Sequence, residues 1–234
     1  MRQGNGQIGN AGGRPGFRNT LGLIKAHPLR VARTVASCSV LLGGSRGYLN
    51  VTGWFRSRVT QSPVDFHGEA VPWITYPCIR FLEPRILPRM AVFEFGSGAS
   101  TAWWSRRVSR VVSCEHDRAW FERVKAQAAG NVEMIHAMPD GGRYSGQIQR
   151  YKGEFDVVVI DGEDRIECAR NTVAALREDG VIVWDNADRD EYRPGFDLLL
   201  SRGFRRVDFW GMSPMVVFET LTSVFYRDGN CLGL

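Results

Sequence analysis

A chain of 234 residues with 44% apolar, 24% charged and 11% aromatic side chains can bury roughly 70% of its unfolded surface, which excludes wholesale disorder, collagen-like repeats and coiled coil. No stretch approaches the roughly 18 uninterrupted apolar residues of a spanning helix; the best candidate, Val31 to Leu42, is broken by Arg33, Thr34, Ser37 and Ser39. The formal charge of +5 is unevenly spread, because Met1 to Thr60 carries nine bases (Arg2, Arg14, Arg18, Lys25, Arg30, Arg33, Arg46, Arg56, Arg58) and the first acid is Asp65.

Residues 1–20, rich in glycine and asparagine, read as a basic flexible leader. Simple electrostatics gives such a leader a weak attraction to a membrane surface or an anionic partner. No motif points to specific nucleic-acid binding, and the order of a secretory signal is missing. Five scattered cysteines, none spaced C-x-x-C, argue against a zinc knuckle or a disulfide framework and fit a reducing cytoplasm.

Residues 21–61 form a helical segment: Leu23, Ile24, Leu29, Val31, Ala32, Val35 and Ala36 recur at helical spacing, and Pro28 divides them into two short helices. The main domain is expected over residues 62–234. Pro72 can open a helix that turns Ile74, Cys78, Phe81 and Leu82 toward a core. Seven short apolar runs follow: Ala91–Phe95, Val111–Cys114, Val132–His136, Phe155–Ile160, Val181–Trp184, Arg206–Trp210 and Thr222–Tyr226. Helical patterns fall between them at Thr101–Val108, Arg118–Ala128, Arg165–Leu176 and Arg193–Arg202. Apolar strands lacking polar alternation need cover on both faces, so this alternation predicts an α/β class, doubly wound and Rossmann-like, with seven strands mostly parallel. The last connection, with Gly211 and Pro214, is poor in helical periodicity and predicts an antiparallel final strand.

The first strand runs into Glu94, Phe95, Gly96, Ser97, Gly98, Ala99, Ser100 and Thr101. Glycines at a strand-to-helix turn let backbone approach a ligand. A dinucleotide site would place a third glycine at Thr101 and pyrophosphate on the helix amides; an acid at Glu94 would repel that pyrophosphate and tolerate a cation. Glu115 lies 21 residues after Glu94, the return distance of a βαβ unit, where a carboxylate can accept both ribose hydroxyls. A nicotinamide-dependent oxidoreductase is therefore disfavoured, and a binding protein that keeps the fold without group transfer stays open as an alternative.

Glu94, Gly96 and Gly98, with Ser100 where a third glycine is common, resemble the first motif of class I S-adenosylmethionine-dependent methyltransferases, a likeness running from about Ala91 to Tyr226. The resemblance implies that Glu94 lies near the methionine part of S-adenosylmethionine, that Gly96, Ser97 and Gly98 pass beneath it, that Glu115 holds the ribose and that His116 stands beside the adenine. Asp140 is either a contact to the adenine amino group or simply part of the Pro139–Gly142 turn.

Ligands in open α/β sheets bind beyond the carboxyl ends of strands. The fourth strand runs into Asp161, Gly162, Glu163, Asp164 and Arg165, and the fifth into Asp185 and Asn186. Asp161, Asp185 and Asn186 offer three hard oxygen ligands to a divalent cation such as Mg2+, which resembles the metal site of catechol-type O-methyltransferases. Those enzymes commonly carry a lysine where this chain has Asp164. Asp161 and Asp164 are thus candidate acid/base residues with or without a metal, and Asp161 is also placed beside the cofactor. Asp185 and Asn186 could instead serve as a helix cap and a turn.

The family likeness implies methyl transfer, and the carboxylates suit a hydroxyl oxygen on a small-molecule or glycan acceptor. Nothing resembles the asparagine, proline, proline, aromatic signature of nitrogen-methylating relatives. Among the aromatics, Trp73 and Tyr76 are expected near the acceptor pocket, while core packing accounts as well for Trp103, Trp104 and Trp184.

Overall fold

The computed structural model describes residues 28–234, so the leader and any helix before Pro28 lie outside the described residues. The described residues divide into two units, one ending at Asn50 and the other spanning Val51–Leu234. In the first, Pro28 begins α1 (Pro28–Gly43), a position where its missing N–H costs nothing. A short α2 (Tyr48–Val51) lies at the boundary.

The second unit opens with α3 (Trp54–Thr60) and α4 (Tyr76–Leu82). The latter starts four residues later than the Pro72 signal suggests, because Pro77 takes the first-turn position and Thr75 stays extended. A seven-stranded sheet follows: β1 (Ala91–Phe95), β2 (Arg110–Glu115), β3 (Val132–His136), β4 (Phe155–Ile160), β5 (Leu176–Trp184), β6 (Arg205–Gly211) and β7 (Thr220–Tyr226). Between them run α5 (Ala99–Ser105), α6 (Arg118–Lys125), α7 (Arg165–Thr172) and α8 (Arg193–Ser201). The strand order is β3-β2-β1-β4-β5-β7-β6. The first five strands pair in parallel, and β7 is antiparallel to both β5 and β6. The sheet is the expected doubly wound one, with its antiparallel strand inserted next to the edge.

Side chains alternate across this sheet with period two. Phe93, Phe95, Val158, Ile160, Ile182 and Trp184 enter one core, and Val92, Val157, Val159, Val181 and Val183 enter the other. Cover on both faces explains the near-continuous apolar runs.

The largest departure from the sequence pattern lies at α7, which stops at Thr172 instead of Leu176. The amides of Gly153, Glu154 and Phe155 take the carbonyls of Ala174 and Ala175, drawing those residues out of the helix and into the start of the sheet. Leu176 then begins β5, whose register to β4 shifts between Phe155 and Val157. Arg177, Glu178 and Asp179 are exposed at that irregularity before Gly180 and Val181 return to the interior.

The order reverses between β1 and β4, and β1, β2, β4 and β5 all deliver their carboxyl ends to one edge. This is the switch point where open α/β sheets form a crevice.

Candidate active site

At that edge the backbone of Gly96 has φ +100° and that of Gly98 +149°, conformations that side chains with a Cβ rarely adopt. A Cβ on Gly96 would also stand 3.0 Å from the Asp161 carbonyl oxygen. The turn is fastened from within: the Gly98 amide donates to Thr101 Oγ1 (3.0 Å), and the Thr101 and Ser113 hydroxyls both donate to Glu94 Oε1. Ser113 is placed for this by its register opposite Glu94 on β2. Glu94 is 1% exposed. Burial pushes its carboxyl up to about 7 against the opposing hydroxyls of Ser113, Thr101 and Ser100, with Glu115 adding to the rise.

Glu115 is held by a different set of neutral donors. Its Oε1 accepts the amides of His116 (2.8 Å) and Asp117 (2.9 Å), and its Oε2 accepts the Ser97 hydroxyl (2.8 Å). His116 Nδ1 lies 3.1 Å from the same Oε1. Asp117 caps α6 by accepting the Trp120 amide at 2.7 Å. Trp120 then returns its indole N–H to the Ser97 carbonyl (2.8 Å), so Ser97 is fixed from both sides.

These groups share one cavity of about 660 Å³, lined by Glu94, Gly96, Ser97, Gly98, Glu115, His116, Asp161, Asp185 and Asn186, with Trp73, Met215, Val216 and Phe218 also on its walls. The expected site residues come together there, with one exception. Asp164 does not line the cavity: it is the N-cap of α7 in a left-handed conformation (φ +49°), where its carbonyl accepts the Cys168 amide at 2.9 Å. A further expectation also fails, since Tyr76 is buried in the core while Trp73 alone of that pair reaches this cavity. Asp140 sits in a short 3₁₀ turn paired with Arg143 and is likewise absent from the wall. Trp103, Trp104 and Trp184 are core residues, each 1% exposed or less.

Asp161, Asp185 and Asn186 are adjacent but are not arranged as a ligand set for a divalent cation. The Arg165 guanidinium already stands among them, donating to Asp161 Oδ1 (3.1 Å), the Asp185 carbonyl (2.6 Å) and the Gly162 carbonyl (2.8 Å). Asp185 receives the Thr222 hydroxyl on Oδ1 (2.6 Å) and the Asn186 amide on Oδ2 (2.9 Å). Among the described residues no group of three or more His, Cys, Asp or Glu side chains is arranged to hold a metal ion. The donor set thus does not fit Mg2+, because a fixed cation supplies the compensation a metal would bring. Burial raises both carboxyls; Arg165 opposes the rise at Asp161, and the Asp161 charge adds to it at Asp185.

Several participants carry little signal in sequence. Thr101 fills the position of a missing glycine, yet its hydroxyl joins the turn to Glu94. Trp120 reads as one more aromatic on a helix. Arg165, four residues after Asp161, is the detectable one, since that spacing places a cation one helical turn from an acid. Gly162 is required by packing, because a Cβ there would lie 2.0 Å from the Tyr144 hydroxyl.

Residues 93–187 match a family model described as a methyltransferase domain. The fold is similar to that of precorrin-6y C5,15-methyltransferase from Geobacter metallireducens, at 16% identity and a TM-score of 0.50 over 65% of this chain and 87% of that one. It is also similar to a methyltransferase from Geobacter sulfurreducens, at 20% identity and a TM-score of 0.50 over 74% of this chain and 85% of that one. A comparison with curated proteins gives no match. The seven-stranded topology is the Rossmann-like fold of those structures, and within it residues 93–187, which include the glycine turn, are similar to a methyltransferase domain.

Proposed function

We propose that this protein transfers the methyl group of S-adenosylmethionine to a hydroxyl oxygen of a small-molecule or glycan acceptor. The observation that carries this reading is the convergence of Glu94 and Glu115 on one cavity beside a glycine turn. Ser97 and the amides of His116 and Asp117 orient Glu115, which suits it to accept two ribose hydroxyls. His116 flanks the adenine side, and Glu94, buried and with no ion pair among the described residues, favours a positive centre above Gly96 and Gly98.

S-adenosylmethionine held by these residues would supply an electrophilic methyl group to the acceptor oxygen, leaving as S-adenosylhomocysteine. Asp161 takes the acceptor proton: it lines the cavity, and burial raises its carboxyl toward the range useful to a general base. Arg165 stabilises the Asp161 and Asp185 carboxylates in the role a divalent cation plays elsewhere. Proximity, alignment and exclusion of water supply the remaining acceleration.

Calorimetric titration of the full chain with S-adenosylmethionine tests the cofactor assignment. Binding to the wild type, weakened about 100-fold in Glu115→Ala through loss of two hydrogen bonds to a charged acceptor, is the expected result. Equal binding by both proteins contradicts the placement. Methyl transfer from labelled cofactor to a panel of hydroxylated acceptors, lost in Asp161→Asn with cofactor affinity retained, tests the oxygen chemistry.

A further inference from the structure

The loop joining β6 to β7 exposes apolar side chains while being firmly held. Trp54 Nε1 donates to the Val216 carbonyl (2.8 Å) and Arg58 to the Met215 carbonyl (3.2 Å), bonds that tie the loop to α3 across more than 150 residues of sequence. The next two side chains, Val217 and Phe218, are each 65% exposed. A tethered apolar tip gains nothing from water and is a feature that needs an apolar neighbour. The same loop gives Met215, Val216 and Phe218 to the wall of the main cavity, which half-exposed Trp73 also lines. The apolar tip is therefore continuous with that wall.

The helix that holds the tether is basic, and the loop's one acid stands at its far end. Helix α3 exposes Arg56, Arg58 and Val59 and carries no acid, while exposed Glu219 closes the loop and keeps that end in water. In the other unit, α1 has the same chemistry: Leu29, Val35 and Val40 are exposed beside Arg33, with no acid in the helix. At 16 residues, with no described helix long and apolar enough to cross a bilayer, it suits the plane of an interface. Apolar side chains with arginines and few acids are the combination that partitions to anionic lipid.

We propose that the Met215–Phe218 loop is an interfacial anchor that seats the cavity mouth on an anionic lipid bilayer, so that the acceptor is an amphipathic molecule drawn from that surface. The acceptor part rests on the methyl-transfer reading, whereas the anchor stands on the loop alone.

Co-sedimentation of the full chain with vesicles of phosphatidylcholine, or of equimolar phosphatidylcholine and phosphatidylglycerol, tests the anchor. The wild type binds the anionic vesicles. Val217→Ser with Phe218→Ser lowers the partition coefficient about tenfold with an unchanged thermal midpoint, and Arg56→Gln, which leaves the Arg58 tether in place, weakens binding to the anionic vesicles alone. No binding by the wild type, or equal binding by the serine variant, overturns the anchor. So does self-association abolished by the serine changes without vesicle binding, which makes the patch a protein interface. Vesicle binding is read without cofactor, so failure here leaves the cofactor titration to decide the methyl-transfer reading separately.

Discussion

Two pairs of acids stand at the same edge of the sheet, at the ends of β1 and β2 and at the ends of β4 and β5, and they are satisfied in opposite ways. Glu94 and Glu115 are held by hydroxyls and amides from Thr101, Ser113, Ser97, His116 and Asp117. Arg165 gathers the second pair, its guanidinium donating to the Asp161 carboxylate and to the Asp185 backbone carbonyl, while Thr222 and Asn186 hold the Asp185 carboxylate. Neutral donors fix a carboxylate in place without cancelling its charge, so the first pair still attracts a cationic ligand. An arginine cancels much of that charge, so the second pair becomes an internal acid–base unit with less need of an external cation.

The sharpest way to break this contrast is Arg165→Met. Removing the buried member of an ion pair strands its partner, and a loss of about 3 kcal/mol in urea unfolding is expected, with partial recovery in Arg165→Lys. Unchanged stability shows that the second pair does not depend on its cation. At the glycine turn, Gly98→Ala forces a Cβ into a φ of +149°, and a loss of about 2 kcal/mol should appear as weaker cofactor binding and a lower thermal midpoint.

A smaller effect separates the two pairs by pH. Glu94 has its carboxyl raised from 4.5 to about 7, so the native state keeps a proton that the unfolded chain has released. Its contribution to stability is complete below pH 4.5 and fades as pH rises through about 7. Cofactor binding has the opposite slope, because ionised Glu94 attracts the sulfonium. Affinity for S-adenosylmethionine should rise by up to about tenfold as pH increases through neutrality, with a weaker trend for uncharged-sulfur S-adenosylhomocysteine. Glu94→Gln should flatten the difference between the two ligands; a difference that persists there assigns the slope to another group. The smallest expected effect is that of magnesium: cofactor affinity measured with Mg2+ and with chelator should agree within about twofold, since Arg165 already fills the cationic role.

Much of this was legible because periodicity and spacing are local properties. Seven apolar runs announced seven strands, and the separation of Glu94 from Glu115 announced their return to one edge. Helix ends were less legible, since α7 stops where the amides of Gly153, Glu154 and Phe155, at the start of β4, capture the Ala174 and Ala175 carbonyls, a competition between segments distant in sequence. The same limitation explains the site. Asp164 reads as an acid at a strand end, whereas the turn geometry sets it at the N-terminus of α7, away from the cavity. Thr101 looked like an absent glycine until its hydroxyl met Glu94. The expectation of a metal followed from counting oxygen ligands, and what countered it was the direction in which the Arg165 side chain points.

A crystal structure of the full chain with S-adenosylhomocysteine tests the central claim most directly. The account predicts ribose hydroxyls within hydrogen-bond distance of the Glu115 carboxylate and the sulfur above Gly96 to Gly98, facing Glu94. A nucleoside bound elsewhere, or an empty cavity at saturating ligand, contradicts it.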